Sequence, residues 1–572
     1  MKRLVRKKTI KDILAAPPPD SDTHVLSKHL GLKDLTAMGI AAIIGSGIFS
    51  TIGTALSEGG PATSLLYVFT ALACAFSALC YAEFASRIPV SGSAYTYAYA
   101  TFGELMAWII GWDLLMEYAV GNIAVAISWS DYFTSFMNDA LHLKLPAWIT
   151  TDWFTSEDDY NNAIKWIKEG HCSCNLTGEM KDGYEAWISS PTINGFHIIF
   201  DLPAVLITVF ITWLVYIGIK ESKNAGNIMV LIKLIAILFV IGIGAAYVDT
   251  GNWSPFAPKG LGGVLKGVSG VFFAYIGFDA ISTTAEECHN PQRDLPKSMF
   301  LSLAICTVIY VAVSLVLTGM VPYFKLGVGD PLAYAFKEIG LPNVSIIIAL
   351  SAIVAIASVL LVFQMGQPRI WMSMSRDGLL PKRFSKIHPK YKTPAFSTII
   401  TGLVVAIPAS FLTLGAVTDM TSIGTLFAFM LVCGGVMLLE EDPEPNSGKF
   451  KVPYFNGRYI APIIVLVVFY IVYLYFPTDV ETFFDYNTWE LFREKIPMYI
   501  YMIFSTYILF RTVVKKSSLI PVLGLLTNGF LVAKLSWINW VGFSIWLLIG
   551  LIIYFTYGFK HSKLNHKKDH EH

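Results

Sequence analysis

Apolar runs of about 18 to 25 residues recur along this 572-residue chain from Leu35 to near its C-terminus. Each is long enough to cross a hydrocarbon core about 30 Å thick as a helix, and lipid offers no water to an unpaired backbone amide or carbonyl. Together these facts predict an all-α integral membrane fold. Charged residues make up only 15% of the chain, against about 25% in soluble domains, so the apolar runs are not the core of a large globular protein. The pattern predicts helices over 34–56, 62–86, 104–136, 196–219, 225–247, 263–287, 297–320 and 344–375. It continues over 395–413, 418–439, 458–476, 496–513, 518–535 and 538–558, for about fourteen spans with both termini on one side.

Basic residues test this arrangement independently, because short loops rich in Lys and Arg stay in the cytoplasm. The arm with Lys2, Arg3, Arg6, Lys7, Lys8 and Lys11 falls on that side, as do the loop from Arg376 to Lys392, the turn with Arg511, Lys515 and Lys516, and the tail with Lys560, Lys563, Lys567 and Lys568. The long loop 137–194 falls opposite and is acidic, with Asp152, Glu157, Asp158, Asp159 and Asp182 among its carboxylates. The expected organisation is a cytoplasmic arm 1–33, a ten-helix core 34–440 carrying the outer loop 137–194, four further spans in 441–558, and a cytoplasmic tail 559–572. The location expected is the cell membrane, multi-pass. The arm lacks an apolar stretch followed by a small-residue cleavage site, so it does not read as a removable signal peptide.

A net charge of +1 gives no ground for a nucleic-acid partner. Cys74, Cys80, Cys306 and Cys433 lie in apolar segments as small hydrophobes, and Cys288 follows a helix end. Cys172 and Cys174 stand too close for an easy disulfide and have too few partners for a metal. Asn175-Leu-Thr in the outer loop matters only where a host glycosylates. With no metal-spaced His cluster, nucleophile elbow or phosphate loop, the sequence suggests no enzyme, no cofactor and no metal.

Gly45 and Gly47 stand mid-span in Leu35-Thr-Ala-Met-Gly-Ile-Ala-Ala-Ile-Ile-Gly-Ser-Gly-Ile-Phe49. Each costs a helix about 1 kcal/mol relative to alanine, so the first span is expected to loosen there. Close helix packing would explain small residues equally well. The sixth span shifts the balance toward a break, because Gly270-Val-Phe-Phe-Ala-Tyr-Ile-Gly-Phe-Asp279 again places a glycine at mid-depth, followed by an acid. Two interrupted helices in corresponding positions of a five-helix repeat form the substrate site of inverted-repeat transporters. Amides freed at Gly45, Ser46, Gly47 and Ile48 would suit a carboxylate, and carbonyls freed at Ile43 and around Phe273, Ala274 and Ile276 an ammonium. An α-amino acid carries both charges.

Ionisable groups at membrane depth are costly and usually face the bundle interior or a water path. Lys233, within Ile228-Met-Val-Leu-Ile-Lys-Leu-Ile-Ala-Ile-Leu-Phe239, cannot easily snorkel to the cytoplasmic edge. It is a candidate proton carrier, or else a fixed cation tethering the fifth helix to carbonyls of the first. Glu117 is either a pocket carboxylate or a partner to another polar helix group. Asp279 could meet substrate, although holding the unwound sixth helix is the simpler role. Glu83, Asp113 and Asp201, nearer the helix ends, read as structural.

These residues match a known pattern. Ile43-Ile-Gly-Ser-Gly-Ile-Phe49, Tyr81-Ala-Glu-Phe-Ala-Ser-Arg-Ile-Pro-Val-Ser-Gly-Ser-Ala-Tyr95, Phe272-Phe-Ala-Tyr-Ile-Gly-Phe-Asp279 with Asn290-Pro-Gln-Arg-Asp-Leu-Pro296, and Gly366-Gln-Pro-Arg369 with Met374-Ser-Arg-Asp-Gly-Leu-Leu-Pro381 resemble the cationic amino acid transporter family of the amino acid, polyamine and organocation superfamily. The resemblance implies a five-plus-five inverted repeat with discontinuous helices 1 and 6 and a permease working by alternating access. It also implies proton coupling through Lys233 in place of sodium, and a place for Glu117 beside the substrate. The stretch from about 450 to 515 resembles the two extra helices of fourteen-helix animal members, and the outer loop is longer than bacterial members usually carry. The expected activity is secondary active uptake of L-amino acids, cationic or small neutral, with exchange or sensing without transport as alternatives. Expected partners are the amino acid, protons and membrane lipids, and no motif calls for an accessory subunit.

Overall fold

The computed structural model describes residues 6, 30–88, 93–169, 176, 179–218, 223–391, 393–439, 450–475 and 488–564. Most of the N-terminal arm, Cys172, Cys174, Asn175, Lys392, Lys567 and Lys568 lie outside the described residues.

The first span is broken. Helix α1 (Leu32–Ile43) stops at Ile44, whose backbone is extended, and the chain resumes helical form as a π-turn over Gly47–Thr51 leading into α2 (Ile52–Gly59). Helix α3 (Thr63–Arg87) returns across the bundle, and a short α4 (Ser93–Thr101) leads to α5 (Glu104–Leu141). Helix α5 is the central post: 89% of its most apolar window is buried inside the protein.

The acidic outer loop is a small folded unit, which the sequence reading did not anticipate. It comprises α6 (Trp153–Lys168), α7 (Glu179–Ser189) and a two-residue hairpin of β1 (Thr192–Ile193) and β2 (Phe196–His197). Asp152 caps α6 by accepting the Thr155 amide at 2.8 Å. Rings hold the unit together: Trp187 stacks on His197 and Tyr160, and Trp153 on Phe196.

Helices α8 (Leu202–Ile217) and α9 (Lys223–Gly244) follow, and Asp201 caps the former by accepting the Ala204 amide and the Ser130 hydroxyl. The expected sixth helix over 263–287 is not continuous. It runs as α10 (Gly260–Lys266) and α11 (Val268–Phe273), then through Gly277 into a 3-10 stretch, Phe278–Glu287, with α10 bent by 43° from the segment Val268–Ser282. Gly277 has φ +114°, a conformation that a side chain resists. Helices α12 (Pro291–Met320), α13 (Pro331–Glu338), α14 (Pro342–Arg376), α15 (Ala395–Ala409) and α16 (Leu414–Leu439) complete the core.

The C-terminal part holds α17 (Gly457–Tyr475), α18 (Trp489–Lys515), α19 (Leu519–Ala533) and α20 (Trp537–Ile553). Helix α19 ties to the core where Asn528 Nδ2 donates to Ser77 Oγ at 2.7 Å. Helix α20 is fixed to α5 by a reciprocal pair: the indoles of Trp112 and Trp546 stack and each donates to the other's carbonyl, at 2.9 and 3.2 Å. Helices α17 and α18 are peripheral, with only 11% and 17% of their apolar windows covered by protein. Among the described residues, nine helices are long and apolar enough to cross a membrane, or ten if the bent α10–α11 pair is one span. Helices α8, α15 and α19 are apolar but shorter. This is a multi-pass membrane protein.

Candidate substrate site

The two broken segments cross where the sequence placed its glycines. A Cβ on Gly47 would lie 2.3 Å from the Cα of Ala274, so the backbones of the first and sixth spans touch at this point. Nearby, a Cβ on Gly277 would meet the Ala42 carbonyl oxygen at 2.9 Å. Glycine is what allows both approaches.

Backbone accounting revises part of the sequence expectation. The Ile48 amide is not free; it donates to the Gly45 carbonyl at 3.1 Å, as does that of Phe49 at 3.2 Å, because the π-turn begins at once. The carbonyls of Ile43 and Ala274 are not free either. Tyr310 on α12 reaches both with its hydroxyl, at 2.9 and 2.8 Å, and pins the two breaks together. The Phe273 carbonyl accepts the Ile276 amide at 3.2 Å. Tyr310, fully buried beside Tyr67 and Tyr275, escaped the sequence reading, because it is one of several hydroxyls in its span, with Ser302, Thr307 and Ser314 among the others.

A cavity of about 10 Å³, room for one water molecule, lies against the crossing. Ile43, Gly45, Ser46, Gly47, Phe273 and Ile276 line it, as expected of a site at the breaks. The rest of the wall comes from Ala42, Val125 on α5, and Val359 and Phe363 on α14. None of those four carried a sequence signal, because an apolar residue in an apolar span is silent about which face it presents. Ile48, Ala274, Glu117 and Asp279 do not line this cavity.

Lys233 is fully buried, and its ammonium donates to the carbonyls of Ala41 and Ile44 at 3.1 Å each. Ile44 is the residue where α1 stops, so the lysine satisfies carbonyls at the end of the first half-helix. Glu117 and Asp279 are buried and close enough to interact electrostatically, with Tyr81 and Asp113 near them. One oxygen of each, Oε2 and Oδ1, has no hydrogen-bond partner among the described residues, nor has either oxygen of Asp113. Glu83 is structural: it pairs with Arg87 and accepts the Val452 amide at 2.9 Å. The five described cysteines are buried.

A family profile described as "Amino acid permease" matches residues 30–507, and a second, for the C-terminus of such proteins, matches 519–562. The chain belongs to the amino acid permease family. This permease is 38% identical over 561 residues to the branched-chain amino acid permease BcaP of Bacillus subtilis (strain 168), covering 98% of both chains. It is 36% identical over 569 residues to the methylthioribose transporter of the same organism, covering 99% of this chain and 100% of that one. It is 30% identical to human cationic amino acid transporter 4, covering 95% of this chain and 89% of the other. The chain is therefore a membrane transporter of this family.

Proposed function

We propose that this permease is a secondary active transporter of L-amino acids in the cell membrane, working by alternating access with protons as the coupling ion. The observation that carries the reading is the contact of two broken spans at Gly47 and Ala274, with a buried lysine on the carbonyls beside the break. In the proposed architecture the core 34–440 is a five-plus-five inverted repeat, residues 441–558 add four spans to make about fourteen, and the arm 1–33 and tail 559–572 are cytoplasmic.

The substrate carboxylate would sit on the amides near Gly45, Ser46 and Gly47, and its ammonium near the Ile276 carbonyl. Its side chain would point at Val125, Val359 and Phe363, a wall that suits a neutral apolar group. The carboxylates of Glu117 and Asp279 lie off that wall and would receive a cationic side chain only if the cavity opened toward them. A cavity of about 10 Å³ is too small for an amino acid, so binding requires the segments to part, and that parting is the transport motion. Charged Lys233 holds α1 through two hydrogen bonds, and its deprotonated form can make the same bonds only without the positive charge that strengthens them, so protonation would bias the closing of the first half-helix.

The same two hydrogen bonds favour a second reading, in which Lys233 is a permanent tether and the protein exchanges amino acids without protons. Uptake into proteoliposomes, measured for alanine, leucine, arginine and methylthioribose with and without an inward proton gradient, separates them. Gradient-driven accumulation that becomes pH-independent in Lys233→Met supports coupling. Uptake only against preloaded substrate, with unchanged pH dependence in the variant, supports the tether; binding without flux would leave a sensor.

A further inference from the structure

We propose that the basic end of α12 carries a binding site for an anionic phospholipid. A cavity of about 910 Å³ opens there, within the roughly 300 to 1,000 Å³ range that holds small ligands. His289, Arg293 and Lys297 line it together with Phe300, Leu301 and Phe450. Its charged lining side chains, Arg293 and Lys297, are both cationic, and Asn290 and Gln292 add neutral polar groups. Asp294 is the acidic neighbour, 4.0 Å from the Arg293 Nε and largely buried, while the Arg293 side chain is 68% exposed and remains available to a ligand.

The apolar part is what selects a lipid over a free anion. From Lys297 the exposed face of α12 continues through Leu301, Ile305 and Val308, the last 71% exposed, at the spacing of one helix face. These residues belong to a membrane span and are exposed among the described residues. A headgroup phosphate at Arg293 and Lys297 would therefore place an acyl chain along Leu301, Ile305 and Val308. One ligand satisfies both halves, since basic side chains at the edge of a span attract anionic headgroups. The site also borders the transport core: the His289 amide donates at 3.1 Å to the Leu30 carbonyl, two residues before α1 begins.

The test is lipid retention by the full chain, purified in detergent, with equimolar phosphatidylglycerol and phosphatidylcholine, read by native mass spectrometry. The unmodified protein should retain phosphatidylglycerol selectively, and Arg293→Gln/Lys297→Gln should lower that retention about 30-fold. Lys382→Gln/Arg383→Gln removes two exposed basic charges from another loop and should leave it unchanged. An equal loss in both double variants would mean bulk surface charge and overturn the site. So would undiminished retention in the first variant, or displacement of the lipid by millimolar inorganic phosphate. Thermal unfolding of each variant checks that the fold is intact. None of these readouts uses transport, so they stand or fall apart from the proposed substrate.

Discussion

Replacing Gly47 with alanine tests the crossing of the two broken spans directly. The added methyl would stand 2.3 Å from the Ala274 Cα, 2.7 Å from its Cβ and 3.0 Å from its amide nitrogen. Nonbonded carbons prefer about 3.5 to 4.0 Å, so the segments must separate locally by more than about 1 Å. The obstacle is backbone, which cannot swing aside as a side-chain tip does. Overpacking of this kind costs about 1 to 3 kcal/mol. The opposing gain, a less flexible unfolded chain, is about 0.4 to 1 kcal/mol, so the net effect is a loss of up to about 2.6 kcal/mol, centred near about 1.3 kcal/mol. Thermal unfolding in detergent should show a lowered midpoint for Gly47→Ala. Because the same shift displaces the Gly45–Gly47 amides, substrate affinity in a binding assay should fall about tenfold or more, equivalent to about 1.4 kcal/mol. Gly415→Ala is the matched control, since nothing lies within 4 Å of its added methyl. Wild-type stability and affinity in Gly47→Ala would refute the contact and the site built on it.

Tyr310→Phe removes the hydroxyl shared by the Ile43 and Ala274 carbonyls; thermal unfolding should show a loss of about 1 to 3 kcal/mol, and a silent variant would mean the breaks are not pinned there. Gly550→Leu drives a side chain into the Trp112 ring, whose Cδ1 stands 2.4 Å from the new Cβ, and should destabilise the α5–α20 contact by about 1 to 3 kcal/mol in the same assay. In the outer unit, burial first, and then Asp152, Asp158 and Asp182, push the Asp159 carboxyl up from 3.8 to about 6. The folded unit thus holds this proton more tightly than the unfolded loop; its stabilising effect is present below about pH 4 and is lost as pH rises through about 6. Amide exchange in α6 and α7, corrected for intrinsic rate, should show more protection at pH 5 than at pH 7, and Asp159→Asn should flatten that difference.

The sequence by itself determined that the chain is helical and membrane-embedded, because long apolar runs admit no other satisfied backbone in lipid. It also located both helix interruptions, since Gly45, Gly47 and Gly277 cost a helix stability locally, although the backbones of Ala274 and Ala42 that Gly47 and Gly277 admit could not be read from it. Lys233 was visible for a similar reason: a cation in an apolar run stands out, and its tether to the first helix was one of two roles its position allowed. The folded outer unit was not legible, because its stability comes from ring contacts such as Trp187 on His197, between residues of no marked periodicity. Nor was the wall of Val125, Val359 and Phe363, or the use of Tyr310 to occupy two carbonyls that a one-dimensional reading left free. Much of each face of a membrane span is apolar, so composition alone cannot say which apolar side meets lipid and which meets the site. That choice belongs to the packing of α5, α12 and α14 around the broken helices, where contacts distant in sequence decide which groups remain open to a substrate.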